Sequence, residues 1–198
     1  MKKKESTLLN MVVVLFTITL VAGLSLGYVN DLTLEPKARA KLAKMENSLK
    51  LILPEFDNYP IDERIRLKSA RAKDSIDIYP AFADSTFVGA AVTGASEKGY
   101  SGLVKLMVGF SPDGKIINIA VLEQKETPGL GTKMKRDKFL RQFRGKNPLN
   151  FDMKVEKDGG EVDALAGATI STRAFSEATQ EAYDAYIKYR ETMTKPEN

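Results

Sequence analysis

The sequence contains no cysteine and no histidine. Without cysteine there are no disulfides, no thiolate metal ligands, no iron–sulfur ligation and no thiol nucleophile. Without histidine the commonest general base, the Ser-His-Asp arrangement and most zinc and haem ligation go as well. Acid–base or redox chemistry is left to carboxylates, Lys, Tyr, or a cofactor that brings its own reactivity. A strong excess of one charge is also missing: 30 Lys and Arg stand against 26 Asp and Glu, a net charge of +4, and the basic residues read as spread along the chain. The pI of 9.1 is then weak support for a nucleic-acid partner, and none is expected. The 43% hydrophobic and 28% charged residues that are present, in a chain of 198, suit one globular domain with an appendage rather than disorder or a polytopic membrane protein.

The appendage is N-terminal. Leu8 to Tyr28, LLNMVVVLFTITLVAGLSLGY, holds 21 residues without a charge. A helix of that length spans about 30 Å, the hydrocarbon thickness of a bilayer. Residues 1–7, beginning MKKKE, read as a short cytoplasmic tail, although Lys37, Arg39, Lys41 and Lys44 on the other flank leave the charge count balanced. A cleaved signal peptide would have an apolar core of about 7–15 residues and a small-x-small site. The longer run and the poor match VAGLSLG favour a retained anchor over residues 8–28. Either form of export places the chain from residue 29 onward outside the cytoplasm.

Asp31 to Leu53 opens on a Glu-Pro step and spaces Ala40, Leu42, Met45, Leu49 and Ile52 at three- and four-residue intervals, so residues 29–58 are expected to form a helical linker ended before Pro54. From Ile76 short β-type runs take over, IDIYPAF and then TFVGAAV. Leu103 to Phe110 and Ile116 to Leu122 flank Ser111-Pro112-Asp113-Gly114, a turn with proline to fix φ and glycine to supply a positive one, which predicts an antiparallel hairpin. After the hairpin, ETPGLGTKM, Glu126 to Met134, is a loop. Its glycines, Gly129 and Gly131, either let a planar or anionic ligand approach the backbone or merely end a strand. Lys133 to Phe143 reads as a short basic helix, Asn147 to Val155 as a strand and Asp158 to Gly160 as a turn. Strands followed by helices, without regular alternation, indicate an α+β domain over residues 59–198.

The last element is an amphipathic helix, with Phe175, Ala178, Ala182, Ala185 and Tyr189 at i+3 and i+4 spacing. Its first turn falls near Ile170 to Thr172, so Thr169 or Ser171 is expected at the N-cap. A helix start also accommodates a phosphate, and small Gly167 and Ala168 would let a bulky group approach. On cap preferences alone the plain cap is the commoner role.

DALAGAT, Asp163 to Thr169, resembles the flavinylation motif of the FMN-binding domain family, and ETPGLGT, Glu126 to Thr132, is similar to that family's second signature. GYSG, Gly99 to Gly102, and the hairpin after it also fit. With the anchor and the length, the chain resembles the G-type subunits of the Rnf membrane electron transport complexes. The resemblance implies an antiparallel sheet with flanking helices on the outer face of a bacterial inner membrane, and FMN joined through a phosphodiester to Thr169 by a separate flavin transferase. It also implies other subunits of an ion-translocating ferredoxin:NAD oxidoreductase as partners. In it Asp163, Gly167 and Ala168 surround the acceptor, and Glu126, Thr127, Gly129, Leu130, Gly131 and Thr132 form the loop at the flavin. The family usually has Ser or Thr where this chain has Ala166. Two other classes are weighed beside it: an anchored binding or scaffold module without cofactor, and a hydrolase using Glu126 and Asp163, for which no nucleophile or base partner is positioned.

Overall fold

A computed structural model of the chain describes residues 7–69 and 75–194. Of the tail expected at residues 1–7, all but Thr7 lies outside the described residues. The chain divides into two compact units, Met1–Lys44 and Met45–Asn198.

The first unit consists of helix α1, Leu8–Ile52, up to Lys44. The helix is long and apolar enough to cross a membrane, and its most apolar stretch buries nothing within the chain. The stretches expected as anchor (8–28) and linker (29–58) run as one helix of 45 residues as far as Ile52; residues 53–58 are not helical, and Pro36 lies inside the helix rather than at a new start. A proline there removes one N–H and crowds the preceding turn. The helix nonetheless continues, and Arg39 pairs with Glu35 at 2.5 Å one turn apart.

The second unit is built on a five-stranded antiparallel sheet in the order of the chain. Its strands are β1 (Ile65–Lys68), β2 (Ser75–Ala83), β3 (Thr86–Gly99), β4 (Gly102–Phe110) and β5 (Ile116–Gln124). The predicted hairpin is β4–β5, with Ser111 and Gly114 closing its turn through a 2.9 Å backbone bond and Gly114 at φ +81°. Between β2 and β3, Asp84 and Ser85 both take positive φ, as a two-residue hairpin turn matching the strand twist requires. The short edge strand β1 was not anticipated.

The sheet buries both faces. On one lie Val92, Leu106, Val108 and Phe110 under the C-terminal helix α3, Thr169–Thr194, which contributes Phe175, Ala178, Ala182 and Tyr186. On the other lie Tyr79, Ala91, Met107 and Ala120, packed with Leu49 and Ile52 from the end of α1 and with Leu53 just after it. Two glycines set the layer spacing. A Cβ on Gly94 would stand 2.0 Å from the Ala178 carbonyl oxygen, and one on Gly109 would stand 1.9 Å from that of Ile52. Phe110 stacks on Tyr186 at 4.8 Å, and the Tyr186 hydroxyl donates to the Ser111 carbonyl at 2.7 Å. Burial pushes that phenol up to about 12.

Two expectations are corrected. Lys133–Phe143 is not one helix: a 3-10 turn over Gly131–Lys135 and helix α2, Asp137–Leu140, are separated by an extended Arg136. The buried Met134 and Phe139 are five positions apart, a spacing no single helix face offers. Asn147–Val155 is not a strand. Asn147 accepts from the N–H of Leu149 and starts a turn, and only Val155 forms a bridge, with Val162. Phe151, Met153 and Val155 do alternate inward, which is the pattern that imitates a strand.

Candidate functional site

The site begins with how α3 starts. The Ala168 N–H donates to the Leu165 carbonyl at 2.9 Å, closing a turn whose third residue, Gly167, has φ +74°, a conformation that glycine takes without steric cost. The Ala168 carbonyl then accepts the first helical bond, from the Thr172 N–H at 3.0 Å. Ala168 is thus the N-cap, and the expectation of Thr169 or Ser171 there is corrected. A cap side chain is unnecessary because Thr172 braces the turn, its hydroxyl donating to the Ala168 carbonyl at 3.0 Å and accepting from the Leu165 N–H at 3.1 Å. Thr169 is the first helical residue. Among the described residues its half-buried hydroxyl takes no hydrogen bond. The N–H groups of Thr169, Ile170 and Ser171 point out of the helix end with no intrahelical acceptor, at the positive end of the helix dipole.

Glu126 lies under this turn, 4% exposed. Its carboxylate accepts from the Ser171 hydroxyl at 2.5 Å and from the Ser101 N–H at 3.0 Å, tying α3 to the β3–β4 hairpin. Gly131 packs against the same pair: a Cβ there would meet the Ser171 oxygen at 2.6 Å and Glu126 Cβ at 2.7 Å. Gly131 is therefore glycine because of its own neighbours. Gly129 has φ +77° with open space around it, so the turn requires it. The Gly129 N–H donates to the Thr132 hydroxyl at 3.0 Å, and the Thr127 carbonyl accepts from the Leu130 N–H at 3.1 Å, so the loop is knit by its own groups.

Between loop and helix start is a cleft of about 550 Å³, a volume within the range of small-molecule sites. It brings together Glu126, Thr127, Leu130, Gly131, Gly167, Ala168 and Thr169, seven of the residues expected from sequence. Gly129 and Thr132 do not line it and instead shape the loop. Asp163 does not line it either. It sits exposed on an adjoining cleft of about 370 Å³ with Lys133, Arg136, Lys138 and Ala164 to Ala166, held at its backbone by Gln142 through bonds of 2.8 and 3.3 Å. The first cleft also includes Tyr100, Ile170 and Ser171, which sequence reasoning had not assigned. Tyr100 occupies the β3–β4 turn beyond the Gly99–Gly102 pair and is 71% exposed. The GYSG string was its only trace in the sequence. Among the described residues no cluster of carboxylates could hold a metal ion.

The cleft fits a phosphate-bearing planar ligand: unpaired N–H groups and a free hydroxyl at one wall, Leu130, Ile170 and Tyr100 for apolar contact. Residues 99–184 match the family model described as FMN-binding domain, which gives the class of that part of the chain. Over nearly the whole chain the likeness is closer. The G subunit of the ion-translocating oxidoreductase complex of Aliivibrio fischeri is 32% identical over 194 residues, 93% of this chain and 91% of that protein. The G subunit of the proton-translocating ferredoxin:NAD(+) oxidoreductase complex of Clostridium ljungdahlii is 35% identical over 96 residues, 48% of this chain and 52% of that protein. The crystal structure of Shewanella oneidensis NqrC superposes with a TM-score of 0.48 at 22% identity, over 69% of this chain and 75% of that one. The chain belongs to the family of G subunits of ion-translocating oxidoreductase complexes.

Proposed function

We propose that this chain carries FMN joined through a phosphodiester to the Thr169 hydroxyl and serves as an electron-carrying subunit of a membrane-bound, ion-translocating ferredoxin:NAD oxidoreductase. The observation that carries the reading is the Thr169 hydroxyl itself, unpaired on the first turn of α3 and lining the cleft beside the Glu126–Gly131 loop. A threonine serving only the helix would sit one position earlier and spend its oxygen on a backbone N–H.

Attachment is the work of a separate flavin transferase. The Thr169 oxygen forms the new bond to phosphorus of an activated FMN donor, the donor's leaving group departs, and the hydroxyl proton is lost. The resulting diester keeps one negative charge, which the N–H groups of Thr169, Ile170 and Ser171 and the helix dipole would hold. Gly167 and Ala168 leave space beside it. Glu126 keeps the first turn of α3 in place through Ser171, while Thr127, Leu130 and Tyr100 would flank the ring. Asp163, outside the cleft, would serve the transferase rather than the bound flavin. When bound, FMN supplies one- and two-electron transfer, which explains why a redox subunit can lack both cysteine and histidine. Helix α1 would hold the chain in the inner membrane with residues 45–198 on the outer face, where a tether prevents loss of the cofactor by dilution. Denaturing gels test the reading: co-expression with a flavin transferase should give a fluorescent band for the wild type and Thr169→Ser and none for Thr169→Ala. A fluorescent Thr169→Ala band would remove the assignment.

A further inference from the structure

The positive charge of this chain is concentrated. Between positions 133 and 146, seven of fourteen residues are Lys or Arg and one, Asp137, is acidic, a net +6 in a chain whose total is +4. The rest of the chain is thus slightly acidic, and the reading of evenly spread basic residues is corrected. Two of the seven are used within the fold. Arg144 bonds Asp137 at 2.5 Å and Asn118 at 2.8 Å, and the Lys146 ammonium lies 5.3 Å from the centre of the Phe151 ring. The other five, Lys133, Lys135, Arg136, Lys138 and Arg141, make no ion pair among the described residues, and all but Lys133 are exposed. The carboxylate of Asp163, which shares their cleft, forms no ion pair there either.

Unpaired like charges at this density repel one another, so stability does not account for them. Their position does suggest a role. Lys133, Arg136 and Lys138 line the smaller cleft with residues 164–166, and the segments that continue from it, Leu130–Gly131 and Gly167–Ser171, line the cleft at Thr169. Whatever covers this basic face also stands beside the cofactor site.

We infer that the face formed by Lys133, Lys135, Arg136, Lys138 and Arg141 docks an acidic surface of the protein that exchanges electrons with the cofactor at Thr169, an inference that rests on the function proposed above. Charge complementarity of this kind raises encounter rates and fixes register across small, transient interfaces. Anionic lipid headgroups would be drawn to the same charges, but a lipid surface on this face would obstruct the approach to Thr169, whereas a redox partner must make that approach.

The absence of cysteine gives a direct test. Lys138→Cys in the full chain, labelled with a photo-crosslinker in membranes holding the assembled complex, should crosslink to an acidic segment of another protein, identified by mass spectrometry. Adding Lys135→Glu, Arg136→Glu and Arg141→Glu should lower that yield about tenfold, the lower end of what electrostatic steering supplies, while flavin fluorescence of the chain on denaturing gels is retained. Crosslinks to lipid alone, to the flavin transferase alone or to nothing would overturn the inference, as would an undiminished yield in the charge-reversed chain or loss of its flavin. A wild-type chain without gel fluorescence would instead strike the cofactor reading, a result separate from what the crosslinker reports.

Discussion

Replacing Glu126 should loosen the fold and the cleft in a way that separates its hydrogen bonding from its size. The carboxylate is 4% exposed and accepts from the Ser171 hydroxyl, itself 1% exposed, and from the Ser101 N–H. In Glu126→Ala both donors lose their acceptor. The Ser171 hydroxyl, almost closed off from water although it borders the cleft, bears most of the desolvation cost, about 1–3 kcal/mol. Ser101 is an exposed residue whose N–H can be rehydrated, so its loss falls near the lower end. With the void left by the removed atoms the total is about 2–4 kcal/mol, which for a unit of this size lowers Tm by roughly 5–15 °C. Glu126→Gln keeps an oxygen for the Ser101 N–H, and its amide can donate to the Ser171 oxygen, so it should cost about 1 kcal/mol or less. The assay is thermal unfolding of the full chain in detergent, followed by the near-ultraviolet dichroism of the tyrosines. Tyr79, Tyr183, Tyr186 and Tyr189 are all buried in the second unit, so the signal reports on its packing. An alanine variant melting with the wild type, or a glutamine variant as damaged as the alanine one, would refute the reasoning.

Two further outcomes rest on the geometry. Gly94→Ala should destabilise the second unit by about 3 kcal/mol, since the clash is with the Ala178 backbone and neither layer can yield; Gly145→Ala, at φ +74° with open space, should cost only about 1 kcal/mol in the same melt. In the β4–β5 turn the Asp113 carboxyl is held down to about 2, first by Lys115 and then by the Ser111 hydroxyl. A depressed carboxylate stabilises the fold above its ordinary value of 3.8 and loses that contribution as pH falls towards 2. An NMR titration should place the Asp113 midpoint near 2 in the wild type and higher in Lys115→Met, and a midpoint unmoved by that change would contradict the assigned cause.

Much of the sheet was legible because its signals are local. The alternation through Leu103–Phe110 and the Ser-Pro-Asp-Gly turn specify the β4–β5 hairpin without help from the rest of the chain. Ile65–Lys68 was missed because IRLK, although it alternates apolar and charged residues, is only four residues long and mostly exposed, too short a run to separate from a loop. Asn147–Val155 misled because inward alternation of Phe151, Met153 and Val155 arises equally in irregular backbone pressed against a core. For the site, residue chemistry alone said only that Thr169 lies where a phosphate could be held. That the Glu126–Gly131 loop and the Gly167–Thr169 turn wall one cleft is a tertiary fact, since the two are far apart in the sequence and no periodicity joins them. Resemblance to a family supplied that pairing, and the structure gives each member a physical reason that spacing could not: Gly131 yields to Glu126 and Ser171, and Thr132 serves Gly129. Ala166, the departure from the family pattern, lies exposed on the neighbouring cleft and does not line the one at Thr169.

The central claim, covalent FMN on Thr169, is tested most directly by the peptide that trypsin releases between Lys157 and Arg173, which contains Thr169, Ser171 and Thr172. Fragmentation of that peptide from chain purified after co-expression with a flavin transferase should place the flavin phosphate on Thr169. Ser171 is occupied by Glu126 and Thr172 by the backbone of its own turn, so flavin on either of them, or an unmodified peptide, would contradict the account.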